Sequence, residues 1–380
     1  MPFGSERERW AAITAAIACI AVVGVGLSLS VPLLSLEMTR MGVSGFWIGV
    51  NTAVAGIASI VAIPFVPRLA ARFGVLPLLA GAVVVFALTL PLFKLLFSFA
   101  WWFPLRFVFS ACLGTLFVLS EYWISTAAPP ERRGFVMGLY ATVLSLGFAA
   151  GPAALSVVGT AGWAPYLAGA ALFILGLLPL AAARGVSPRI EKGRGGTLPS
   201  LARAAPAAAL AALVFGMVET GGFSLLPVYG FANGYDAERA AFLVGILSLG
   251  SVLLQIPIGA LSDRIDRPLV LLGVTILGLA GALLIPGTIH EPSLLYPVLA
   301  LWGGVVGGLY TVGLAHLGSR FSGAELARAN AAFVILYNLG VVAGPPVIGL
   351  GMDLATHGFA YSVAALLALY AGVVLWRLRA

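Results

Sequence analysis

Three charged side chains interrupt the long apolar stretches of this 380-residue chain: Arg106, Glu121 and Glu219. A charge near the centre of an apolar membrane helix costs about 2.5 to 3.5 kcal/mol on insertion scales, so residues of this kind mark solute or ion paths by default. Arg106 and Glu121 are 121 − 106 = 15 residues apart. On a helix that spacing separates them by roughly 22 Å along the axis and about 60° around it, so one face carries both, with Ser110 and Phe117 between them as candidates to line a cavity. A carboxyl that is alternately wetted and dried can load and release a proton. Glu219, followed by Thr220, Gly221 and Gly222, lies too deep to reach an interface, whereas Glu121 has Tyr122 and Trp123 beside it near one. Glu219 and Glu121 are therefore candidates for substrate or proton binding. Arg106, close to the belt residues Trp101 and Trp102, is a candidate anion anchor. Each also has a structural reading: a buried hydrogen bond for Glu219, a bond to Ser120 or snorkelling for Glu121, and a snorkelled anchor for Arg106.

Uncharged polar residues inside apolar runs extend the set. Asn51, Gln255, Tyr310 and Asn338, with His316, Asn330 and Tyr337, are candidates to line a path and equally candidates for interhelical hydrogen bonds. Cys19 and Cys112 show no metal-ligand spacing and read as small apolar filler. No P-loop, H-E-x-x-H or nucleophile elbow occurs in the sequence, which argues against an ATP-driven pump and against an enzyme, and no cofactor is expected beyond a proton as coupling ion.

The elements that must position these residues are set by composition. With 61% hydrophobic and 9% charged residues and a mean hydropathy of +1.07, the chain has too little polar surface for a soluble globule. Apolar runs of spanning length lie at about 10–36, 45–67, 75–93, 101–127, 135–158, 163–183, 205–231, 238–261, 268–286, 293–317, 329–351 and 358–377. Twelve transmembrane helices are predicted, because lipid-facing backbone must satisfy its own hydrogen bonds and these runs are too long for barrel strands. Alternating the loops places 17 Lys and Arg residues on one side and 3 (Arg40, Lys94 and Arg239) on the other, with Arg106 inside a span. The positive-inside rule then puts both termini in the cytoplasm. The net charge of +7 follows from orientation and needs no nucleic-acid partner.

The chain also repeats itself. Gly147-Phe148-Ala149-Ala150-Gly151-Pro152 recurs as Gly340-Val341-Val342-Ala343-Gly344-Pro345 at an offset of 340 − 147 = 193, close to half the length. Pro67-Arg68-Leu69-Ala70-Ala71-Arg72-Phe73-Gly74 answers Gly259-Ala260-Leu261-Ser262-Asp263-Arg264-Ile265-Asp266 at 259 − 67 = 192. Duplicated halves in a polytopic protein predict two pseudo-symmetric six-helix bundles, residues 1–183 and 204–380, joined by a basic, Gly- and Pro-containing cytoplasmic linker at 184–203. The repeated small residues Gly147, Gly151, Pro152, Gly340, Gly344 and Pro345 predict close helix packing at a seam that moves.

Gly259-Ala260-Leu261-Ser262-Asp263-Arg264-Ile265-Asp266-Arg267 resembles the G-x-L-x-D-R-x-G-R loop signature of the major facilitator superfamily. The Gly-Pro repeats resemble that superfamily's fifth-helix motif, and Arg106-Phe107-Val108 its fourth-helix arginine motif. Glu121-Tyr122-Trp123, Arg133-Gly134, Tyr140 and Leu226-Pro227-Val228-Tyr229 are similar to the YcaD-like branch, whose members are regarded as proton-coupled exporters or permeases. The chain departs from the loop signature at Pro67, Ala71 and Asp266. The resemblance implies the twelve-helix major facilitator fold and transport by alternating access. Asp263, Arg264 and Arg267, with Arg328 at the start of the eleventh span, are expected to form a cytoplasmic gate in which Asp263 caps that helix when the protein opens outward. Because Ala71 cannot take the matching role, the gate is expected to be asymmetric.

The sequence therefore predicts a secondary transporter in a bacterial-type cytoplasmic (inner) membrane, a monomer in contact with lipid, moving a small-molecule organic solute with a proton. An uncoupled facilitator and a transport-incompetent sensor or scaffold retaining the fold are the alternatives.

Overall fold

The computed structural model describes residues 6–129, 133–184, 186, 206–321 and 323–379; most of the linker expected at 184–203 lies outside them. The described residues form α-helices and no strand. In chain order these are α1 Glu6–Arg40, α2 Gly45–Ala62, a 3₁₀ turn Ile63–Phe65, α3 Val66–Phe73, α4 Val75–Leu95, α5 Phe99–Ala127, α6 Arg133–Val158, α7 Ala164–Leu175 and α8 Leu177–Ala182. There follow α9 Pro206–Ala232, α10 Ala237–Ser262, α11 Arg267–Thr288, α12 Pro292–Arg320, α13 Gly323–Leu354 and α14 Gly358–Arg379. By length and composition, 11 helical segments among the described residues are long and apolar enough to cross a membrane, and Thr142–Val158 within α6 is a shorter apolar stretch.

Two expected spans differ in detail, for the same reason. The run expected at 45–67 continues to Phe73 with a 3₁₀ turn at Ile63–Phe65, where Pro64 and Pro67 remove two amide donors from the ladder. The run expected at 163–183 breaks at Gly176, because Pro179 cannot donate to the carbonyl one turn before it. Gly74 takes a φ of +88°, closing α3 and letting α4 start in a new direction.

The chain forms two compact units, one of Met1–Leu33 and Ile57–Gly193, the other of Leu34–Gly56 and Arg194–Ala380. In the first, α4 packs on α5 and α7, and Phe86, Phe93, Phe109, Phe173 and Trp102 form a contiguous aromatic core. Gly147 and Gly151 of α6 lie directly on the backbone of α1 at Gly24 and Ser28, and the Ser28 hydroxyl donates to the Gly147 carbonyl at 2.9 Å. In the second, α9 packs mainly on α13 and α10 on α12. Gly340 and Gly344 of α13 lie on the backbone of α9 at Leu213 and Met217. The repeated Gly-x-x-x-Gly segments therefore do the same thing in each unit: they press α6 against α1 and α13 against α9 at near-backbone distance.

This packing yields a direct prediction. A β-carbon at Gly344 would meet the Met217 backbone, whereas one at Gly372 of α14 meets nothing within 4 Å. Gly344→Val is expected to lower thermal stability by at least the ~1–3 kcal/mol of an overpacked site, and Gly372→Val to leave it nearly unchanged. Equal melting temperatures for the two variants would refute the close approach.

Candidate functional site

The ionisable residues of the spans sit in three different environments. Glu219 lies halfway along α9, with Phe215 one turn before it on the same helix face. The Tyr337 hydroxyl, from α13, donates to Glu219 Oε2 at 2.6 Å. No Lys, Arg or His among the described residues pairs with this carboxylate, and Oε1 accepts no hydrogen bond. Glu219, Thr220, Tyr310 and Tyr337 all keep part of their surface accessible.

Three rings surround this face of unit two. Phe215 (α9), Tyr310 (α12) and Tyr337 (α13) have centroid separations of 5.3 Å, 5.9 Å and 5.9 Å, and Tyr310 also meets Phe333 at 5.2 Å. Tyr310 and Tyr337 are backed by a buried cluster of Ala208, Ala209, Ala212, Leu317, Ala329, Ala332 and Phe333. Tyr310 and Tyr337 are thus fixed from behind and partly accessible, while Phe215 is buried beside them. Gly216 contributes directly, because a β-carbon there would meet the Tyr337 carbonyl. The glycine seam between α9 and α13 is what brings the tyrosine to the glutamate.

Arg106 is sealed in unit one, 1% exposed, and its Nε and Nη1 find no hydrogen-bond partner. Ser110, one turn on, is also buried, but Phe117 is 39% exposed and Glu121 is exposed. The face drawn on a helical wheel therefore passes from a closed interior at Arg106 to an open surface at Glu121. Ser120 bonds to the Phe117 carbonyl at 3.0 Å and to the Tyr140 hydroxyl at 3.1 Å, not to Glu121. Glu121 has no hydrogen bond or ion pair among the described residues.

The remaining polar candidates scatter. Asn51 is 0% exposed and neither its amide nitrogen nor its oxygen has a partner. Gln255 is exposed. Asn338 donates to the Val334 carbonyl at 2.9 Å within its own helix. At the other end of α10, the 262–267 loop lines a cavity of about 400 Å³ together with His316, Ser319 and Arg320. Asp263 pairs there with Arg267 at 3.4 Å, and Arg264 is exposed. An exposed pair of this kind contributes less than about 1 kcal/mol. The side chain of Arg328 lies outside the described residues.

Two features escaped the sequence reading. Asp353, at the end of α13, accepts from the backbone amides of Gly45 at 2.7 Å and Phe46 at 2.9 Å, capping the start of α2 within unit two. Gly45 and Gly49 lie against the α13 backbone at Gly349 and Pro345 beside it. A lone Asp at a helix end carries no spacing signal, and its partners are more than 300 residues away in sequence. Glu37, 4% exposed at the end of α1, pairs with Arg40 at 3.0 Å and was hidden by its place beside an interface. Asp353→Asn keeps one acceptor and removes the charge at a helix N-terminus. It is expected to weaken the α2 cap by ~0.5–2 kcal/mol, read as faster amide exchange at Gly45 and Phe46. Unchanged exchange at both amides would show that the cap carries no load.

A bundle of membrane-length helices with a carboxylate and a guanidinium inside its spans defines an integral, multi-pass membrane protein of the transporter class. The family model described as Major Facilitator Superfamily matches residues 16–311 and 208–380. The chain belongs to that superfamily and is a membrane transporter, not an enzyme. Its relatives include the uncharacterized MFS-type transporter YfkF of Bacillus subtilis (strain 168), 24% identical over 86% of this chain and 85% of that protein. The uncharacterized MFS-type transporter YcaD of Escherichia coli (strain K12 / DH10B) is 26% identical over 66% of this chain and 65% of that protein. Among solved structures, the nucleoside transporter NupG superposes with a TM-score of 0.72 at 15% identity over 97% of this chain and 98% of that one. A bacterial homologue of the human lysosomal transporter Spinster gives 0.75 at 14%, over 98% and 96%. At these identities the two structures establish the major facilitator fold alone.

Proposed function

We propose that this protein is a proton-coupled secondary transporter that moves a small organic solute by alternating access, with Glu219 as the residue that carries the proton. The observation that carries this reading is the Glu219–Tyr337 pair: a carboxyl at mid-span, held by a single hydroxyl donor, unpaired with any base among the described residues and still accessible. An ionised carboxylate in such a place needs a countercharge, and a proton supplies one. A group that must be neutralised to cross an apolar region and can be re-ionised in water is what coupling requires.

In this reading the six-helix halves, residues 1–183 and 204–380, rock about the site as one monomer in a cytoplasmic membrane with both termini inside. The 17 to 3 distribution of basic residues supports that orientation. Asp263 exchanges its local bond to Arg267 for the N-terminus of α13 near Arg328 as the protein opens outward, so the weakness of the present pair suits a gate that breaks every cycle. Glu121 and Arg106 serve as accessory sites on α5.

Proteoliposome flux tests the proposal. An imposed proton gradient is expected to drive solute accumulation against its own gradient. Equilibration without accumulation would replace the reading by a facilitator, and absence of flux by a sensor or scaffold.

A further inference from the structure

We infer that the solute bound at Glu219 is an organic cation with an apolar or aromatic body, an inference that rests on the proposal that Glu219 is the transport site. Three observations in unit two converge on this class. First, one oxygen of the carboxylate is taken by Tyr337 while Oε1 accepts nothing, and no basic side chain among the described residues supplies a countercharge. The site is therefore an anion waiting for a cation. Secondly, Phe215, Tyr310 and Tyr337 present three aromatic rings within 6 Å of one another beside it, and ring faces attract a cation within about 6 Å of their centroids. Thirdly, Tyr310 and Tyr337 are held by the Ala-rich cluster behind them, so that these two rings are preorganised and a ligand need not order them.

The same arrangement rejects other classes. An anion would meet an unscreened carboxylate and the negative faces of the rings. A neutral sugar-like solute needs several converging donors and acceptors, whereas this face is dominated by one carboxylate among aromatic rings. A cation with an apolar body uses both halves of the site at once: its charge against Glu219 and its body against the accessible rings of Tyr310 and Tyr337.

The test uses the full-length purified protein and three probes of similar size: benzyltrimethylammonium, phenylacetate and benzyl alcohol, titrated by calorimetry. Benzyltrimethylammonium is expected to bind, and the other two to bind at least about tenfold more weakly, a difference of ~1.4 kcal/mol. Glu219→Gln is expected to reduce cation affinity by about tenfold or more, and Phe215→Ala and Tyr310→Ala by severalfold each, with melting temperatures showing which variants remain folded. If Glu219→Gln fails to fold, Glu219→Asp decides, since it retains the charge and should keep most of the affinity. Absence of cation binding, equal binding of phenylacetate, or full affinity in a folded Glu219→Gln variant would overturn the inference. These outcomes are separable from the coupling proposal. Gradient-driven flux without cation binding removes only the substrate class, and cation binding lost in Glu219→Gln with flux insensitive to the gradient removes only the coupling.

Discussion

Glu219→Gln is expected to abolish proton-driven accumulation in proteoliposomes while leaving the protein folded. The glutamine has the volume of the glutamate and can still accept from Tyr337, which donates at 2.6 Å in the parent protein. What is lost is the charge, and with it the ability to gain and release a proton. Without an ionisable group in the span no proton is carried through the cycle, so the driven rate should fall to background. Thermal stability should be unchanged or slightly higher, because an ionisable group has been replaced by a neutral one inside a span. The residual flux should no longer respond to an imposed pH difference. Tyr337→Phe provides the complementary measurement. It removes the donor and keeps the ring that packs on Phe215 and Tyr310, so accumulation should weaken by about tenfold, the net worth of a hydrogen bond to a charged group. A Glu219→Gln protein that accumulates solute at the parent rate would remove this carboxyl from the mechanism.

Arg106→Met should raise thermal stability and lower transport together. A guanidinium 1% exposed has given up most of its contact with solvent, and two of its donor atoms, Nε and Nη1, find no hydrogen-bond partner in the protein. A buried donor left unsatisfied costs about 1–3 kcal/mol, so replacement by an apolar side chain of similar reach should stabilise by about that amount. A residue that costs stability at a closed position in α5 has a reason other than packing, and loss of transport in the stabilised variant would identify it as functional. A variant that is both less stable and fully active would mean that Arg106 only packs, and its methylene stem would then be what matters. Ser110→Ala, one turn along the same buried face, should change either property little and serves as the control.

The membrane character and the order of the spans among the described residues were legible without coordinates. Hydropathy is a property of consecutive residues, and lipid leaves a polar backbone no alternative to the helix. The duplicated Gly-x-x-x-Gly-Pro segments were legible for a related reason. Small residues four apart line one face of a helix, and that face meets the backbone of α1 in one unit and of α9 in the other. The breaks at Ile63–Phe65 and Gly176 follow from Pro64, Pro67 and Pro179, whose meaning is local, although their effect was larger than hydropathy alone suggested.

Tertiary structure alone decided which of the polar candidates meet. Tyr337 stood among several polar residues of equal standing, 118 positions from Glu219. Its pairing depends on the rotation of α9 and α13 about their axes, which the glycine seam sets and no linear pattern records. The aromatic group drew on three helices, and the Asp353 cap joins residues from opposite ends of the chain. The wheel geometry of α5 placed Arg106, Ser110, Phe117 and Glu121 on one face correctly as geometry. Only packing showed that this face is closed at Arg106 and open at Glu121, because burial is a property of what lies opposite a side chain and not of the helix that carries it.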